Sequence, residues 1–150
     1  MSHRAYNQMS FADQFLIEHK ALCELDDINQ VIDWHKFSDI LNCIHNKKQG
    51  NSAFAPLLMF KALLLQSWYN LSDVALEKQL ARDLIFRRFV GLNLSDAIPD
   101  HSTIWRFREA LKDGQLFDQL LLEIQDQLAQ KSLFIRLGSI SIIDASVIEA

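Results

Sequence analysis

Apolar positions recur at helical spacing along almost the whole chain. Phe11, Phe15, Leu16 and Leu22 suggest a first helix after a polar start at Met1–Ser10. Asp33 is a suitable cap for a second, in which Trp34, Phe37, Ile40, Leu41 and Ile44 share one face. The run Asn46–Ser52 then reads as an exposed loop. Pro56 fits the first turn of a third helix, where its missing N–H is not needed. Leu57, Leu58, Phe60, Leu63, Leu64 and Trp68 lie on more than one side of it, as in a helix packed between others. Ser72 caps a fourth helix that is expected to bury Val74, Leu76 and Leu80. A bend at Arg82-Asp83 leads to Leu84, Ile85, Phe86, Phe89 and Val90, with Gly91 as the stop.

After a loop from Leu92 to Pro99, Asp100 or Ser102 caps the next helix. Ile104, Phe107 and Leu111 point inward, while Ser102, Trp105, Arg106, Glu109 and Lys112 fall opposite, with Arg108 at the border. Gly114 separates this helix from a long amphipathic one, striped by Leu116, Phe117, Leu120, Leu121, Ile124 and Leu128 and ending near Lys131. From Ser139 the period changes. The β-branched Ile140, Ile142, Ile143, Val147 and Ile148 predict a strand that begins a sheet, and the alternatives are that it is disordered, that it docks on the helices, or that its partners come from sequence after residue 150. The expectation is an all-α domain of six or seven helices with a helix-turn-helix-like unit, followed by a C-terminal β-strand.

Composition supports a folded helical domain: 49% of the 150 residues are apolar and 23% charged, with four Gly and two Pro. A net charge of -4 disfavours general affinity for nucleic acid, so any such binding must rest on a local patch. The stretch Arg82–Lys112 holds six cations against four acids. Cys23 and Cys43 have neither redox nor disulfide spacing, and together with His35 and His45 they match zinc sites poorly. The longest apolar run, Leu57 to Leu65, is interrupted by Lys61 and is too short for a bilayer. Without a leader-like start, a cytoplasmic location and no membrane partner are expected.

In order and spacing, PLLMFKALLLQSWYNLSD, LIFRRFVGL, PDHSTIWRFR and IIDASVIEA resemble the N-terminal half of bacterial insertion-sequence transposases of the insertion-sequence-five family, with an InsH-type N-terminal domain. The resemblance covers roughly residues 55–150. It implies a helical extension over 1–50, a DNA-binding domain over 51–131, and over 139–150 the first strand of a truncated ribonuclease H-like (DDE) catalytic domain. Such a domain holds two divalent metals, Mg2+ being the expected ion, on two Asp and one Glu. Asp144 matches the first carboxylate and would bind metal only in a complete catalytic domain. Glu149 does not match the family's Glu, and the second Asp is also missing. No cofactor and no cleavage activity are therefore expected of this chain alone.

The implied partner is double-stranded DNA at transposon ends, together with a second copy or a full-length transposase. Ser102, Trp105 and Arg106 are candidates for base edges and Arg87, Arg88 and Lys112 for phosphates, with Arg108 also in the DNA-binding set. Simpler readings stand beside these. The cations could form a solvated surface paired with Asp83, Asp96 and Glu109, Trp105 could belong to the core, and Asp144 could be a strand-end acid. The functional alternatives are an interaction or dimerisation module using Phe54–Trp68 or Leu116–Leu128, and an inert remnant of a transposase gene.

Overall fold

The computed structural model describes residues 20–45, 54–131, 133–135 and 142–144, with side chains over 20–42 and 54–131. Most of the expected first helix lies outside these residues; Lys20–Cys23 form a single 3₁₀ turn. The expected loop at Asn46–Ser52 also lies outside them. Seven α-helices are described: α1 Asp26–Val31, α2 His35–His45, α3 Pro56–Tyr69, α4 Asp73–Arg82, α5 Leu84–Val90, α6 His101–Asp113 and α7 Phe117–Gln130. The backbone of β1 (Leu133–Ile135) pairs antiparallel with that of β2 (Ile142–Asp144).

Local chemistry accounts for most of the helix ends. Pro56 occupies the first turn of α3, and Asn70 ends that helix in the left-handed region at φ 56°. The Ser72 hydroxyl caps α4 by accepting from the Ala75 N–H at 3.1 Å. Asp83 closes α4 and opens α5, its carboxylate accepting from the Ile85 N–H at 2.9 Å. Gly91 stops α5 at φ 93°, a conformation that glycine adopts without a Cβ clash. The N–H groups of Gly91 and Leu92 both return to the Arg87 carbonyl, completing the turn.

The core is built around α3. Leu58, Met59, Phe60, Ala62, Leu63, Leu64, Leu65 and Trp68 are all buried, so this helix is covered on more than one side as its pattern predicts. Phe60 stacks on Phe37 of α2 with ring centres 5.5 Å apart, Trp68 meets Phe89 of α5 at 5.7 Å, and Tyr69 meets Phe86 at 4.9 Å. One apolar expectation is corrected: Val74 is 46% exposed, because α4 turns Leu76 and Leu80 inward and Val74 falls on the outer side.

The polar helix α1 was not legible as a helix in the sequence, having Ile28 as its single buried residue. Its anchor is tertiary. Asn29 donates to the Phe89 carbonyl at 3.3 Å and accepts from Lys61 Nζ at 3.1 Å, while its own carbonyl accepts from the Trp34 indole at 3.2 Å. The link between α1 and α2 is tied to α7 by buried Gln127, whose Oε1 accepts from the Asp33 N–H at 2.7 Å and whose Nε2 donates to the Asp33 carbonyl at 3.3 Å. Its Nε2 also donates to Glu123 Oε1 at 3.0 Å, so both the donor and the acceptor end of the buried amide have partners.

Candidate functional site

The candidate residues cluster on α6, and α6 rests on α4 and α3. Two polar links set its orientation. Arg108 grips Asp73 with both guanidinium nitrogens, and His101 meets Glu77 through its backbone N–H at 2.6 Å and ring Nδ1 at 3.0 Å. Because the later α6 residue pairs with the earlier α4 residue, the two helices run antiparallel. Gln66 of α3 joins the first link, donating to Asp73 at 2.7 Å and accepting from Arg108 at 3.0 Å. The hydrogen bond from Arg108 is the main cause holding the Asp73 carboxyl below its usual range, and Asp73 in turn raises the guanidinium.

The sequence suggests α5, a loop and α6 as one helix-turn-helix-like unit. In the structure the main packing partners of both helices are α3 and α4 rather than each other. The intervening loop is drawn in by Arg87, which donates to the carbonyls of Asn93 at 2.8 Å, Leu94 at 3.4 Å and Ala81 at 3.0 Å. Asp96, considered above as an ion-pair partner, instead accepts from the Asn93 N–H at 2.8 Å.

The seven candidate DNA-contact residues fall into two groups. Arg87, Arg88 and Arg108 are held by internal partners. Arg88 forks onto Asp26 of α1, with both contacts at 3.0 Å. Arg108 has only 20% of its side chain exposed and is committed to Asp73 and Gln66. Ser102, Trp105, Arg106 and Lys112 lie on the outer face. Trp105 is 52% exposed, which removes the reading of it as a core residue. Among the described residues Arg106 reaches Thr103 Oγ1 alone, at 3.4 Å, and Lys112 lies 3.6 Å from Glu109 on the same helix. Both contacts are weak enough for a ligand to replace.

Two carboxylates, Asp100 at the N-cap and Glu77 of α4, stand at the start of α6, a feature that charge counting over the whole segment conceals. Asp100 caps the helix, accepting from the Thr103 N–H and the Ser102 hydroxyl, both at 2.8 Å. These hydrogen bonds, the backbone one foremost, lower its pKa to about 2. Glu77 is likewise lowered, chiefly by the His101 backbone N–H. Both groups are therefore anionic at neutral pH.

Asp144 ends β2, and its carboxylate lies outside the described side chains. Among the described residues no group of three or more His, Cys, Asp and Glu side chains could hold a metal ion, and no helix is long and apolar enough to cross a membrane. Residues 11–110, two thirds of the chain, match the family described as a transposase domain (DUF772). No solved structure matches the chain.

Proposed function

From a chain that belongs to the transposase-domain family, we propose a module that binds double-stranded DNA at the terminal inverted repeats of an insertion sequence. Membership of the family supports a role in transposition. The observation that carries the DNA reading is the outer face of α6, where Trp105 and Arg106 stand exposed on a helix clamped to its scaffold by Arg108, Asp73 and Gln66. A rigid support of this kind lets exposed side chains meet a duplex in one orientation. In this reading Arg106 contacts base edges or phosphate, Lys112 contacts phosphate, and Trp105 packs against bases or sugars. Arg87, Arg88 and Arg108 maintain the platform.

The finer assignment, to the insertion-sequence-five family with an InsH-type domain, rests on the ordered motifs from PLLMF to DASVIEA. On that assignment Asp144 descends from the first metal-binding carboxylate of a ribonuclease H-like domain. Mg2+ chemistry would require Asp144 together with the second Asp and the Glu of a complete domain. A second copy or a full-length transposase would then be the protein partner at the DNA ends.

The interaction-module alternative loses its first surface, since the apolar side chains of α3 are spent on the core. On α7, Leu120, Ile124 and Leu128 are buried too, leaving Leu122 exposed at 59%. The deciding experiment measures binding of the chain to the inverted repeats flanking its gene and to scrambled duplex, at low and physiological salt. Preference for the repeats that weakens as salt rises and is lost in Arg106→Ala supports the proposal. Equal binding to both duplexes, or none, overturns it.

A further inference from the structure

The solvent side of α4 carries a charge pattern that α6 lacks. On α6, Arg106 and Lys112 are offset by Glu109 and Asp113 of the same helix. On α4, Leu76 and Leu80 turn inward, and at about 100° per residue the stripe opposite them holds Val74, Lys78 and Arg82, all exposed. The two acids within α4, Asp73 and Glu77, lie on the flank toward α6, where Arg108 and His101 take them. Arg82 Nε donates to the neutral Gln79 Oε1 at 3.2 Å. Among the described residues no carboxylate forms an ion pair with Lys78 or Arg82. The outward stripe of α4 therefore has two cations and no acid.

The neighbouring helix extends this surface. Trp105 lies on α6 between His101 and Arg108, the residues that reach α4, and Val74 directly follows Asp73. Helical spacing turns both outward from these contacts, so the two apolar side chains, 52% and 46% exposed, border the same outer groove. Lys78 and Arg82 are four residues apart, ~6 Å along the axis, which is roughly the span of two phosphates on one DNA strand.

We propose that α4 and α6 meet the duplex together, with Lys78 and Arg82 of α4 taking adjacent phosphates of one strand beside Trp105. This inference rests on the DNA-binding reading above and adds a second helix and two binding residues to it. The links from Arg108 to Asp73 and from His101 to Glu77 hold the two helices as one face. Charge selects the occupant: two cations without an acid, next to an exposed indole, suit a phosphodiester backbone, whereas an apolar protein surface laid there would desolvate both cations.

The test uses the full chain with Lys78→Gln and Arg82→Gln, each removing one charge at an exposed position. Affinity for the inverted-repeat duplex and for scrambled duplex is measured across a salt series, with a urea midpoint for every variant. Each substitution is expected to weaken binding about three- to tenfold at low salt, equally for both duplexes, and to reduce the log–log salt slope by about 1. Lys78→Arg and Arg82→Lys, which keep the charge, should bind within about twofold of the unaltered chain. Lys36→Gln, which removes an exposed cation of α2 beside Glu123 of α7, should do the same. A role for Arg82 confined to stabilising the end of α4 would instead lower the urea midpoint and leave the salt slope untouched. That result, or losses no larger than that of Lys36→Gln, overturns the two-helix surface and leaves DNA binding through α6 standing. Failure of the unaltered chain to bind duplex at any salt overturns the DNA reading and this inference together.

Discussion

Arg108 Nη1 and Nη2 lie 2.6 and 2.7 Å from the two carboxylate oxygens of Asp73, and this two-pronged contact pins α6 to α4 at a largely covered position. Lysine has one ammonium and cannot reproduce the planar fork. Arg108→Lys is therefore expected to cost about 1–2 kcal/mol, because it sacrifices charged hydrogen bonds and leaves Gln66 short of a donor. Urea unfolding reads this directly, and an unchanged midpoint would show the pair to be ornamental. The folded pKa of Asp73 is depressed, so the pair's contribution is present above the unfolded value of 3.8 and is lost as pH falls through the folded one. Arg108→Lys should accordingly narrow the stability difference between pH 5 and pH 2.

Lys61 supplies a pH dependence of the same sense in the alkaline range. Its ammonium lies 4.4 Å from the centre of the Trp34 ring and 5.7 Å from that of Phe89, and burial lowers its pKa from 10.5 to about 8. The unfolded chain thus holds the proton more tightly. Between about pH 8 and 10.5 the unfolded state binds more protons, so this group's penalty is relieved and its contribution to stability rises with pH. Attraction to the indole face offsets part of the penalty at neutral pH. Unfolding curves for the unaltered chain and Lys61→Met at pH 7.5 and 10 isolate the effect. Parallel behaviour of the two proteins would mean that the ammonium is solvated after all.

The Asp100 cap gives a local prediction. Asp100→Ala removes the acceptor used by the Thr103 N–H and the Ser102 hydroxyl and should cost about 1 kcal/mol, whereas Asp100→Asn should cost only a few tenths. Thermal or urea unfolding separates the two. Equal losses would mean that the charge, rather than the accepting oxygen, sustains the helix start.

Two tryptophans should behave in opposite ways. Trp105→Ala should change stability by no more than about 0.5 kcal/mol, because the ring is 52% exposed. Trp68→Ala, at 6% exposure and against Phe89, should cost about 3–5 kcal/mol. A large stability loss on Trp105→Ala would return that ring to the packed interior and take it out of the proposed interface.

Helix ends were readable in the sequence wherever their chemistry is local. Pro56, Ser72 and Gly91 each act on backbone groups within a few residues and are used where the pattern puts them, and of the two caps open for α6, Asp100 and Ser102, the structure uses Asp100. The apolar stripe of α3 was legible for the same reason: a residue's face on a helix follows from its position in the repeat. The fate of the arginines was not legible. The partner of Arg88 is 62 residues away and that of Arg108 is 35 away, and neither pairing leaves a trace in spacing. The helix α1 was missed because DDINQV carries little apolar pattern and is held by Asn29 through Phe89 and Lys61. Val74 misled in the other direction, since an apolar residue on a helix says nothing about whether a neighbour covers it. Local sequence determines which backbone conformation is cheap; which charges remain free to meet a ligand depends on distant groups brought together by packing, and that became visible only when α6 was seen seated on α4.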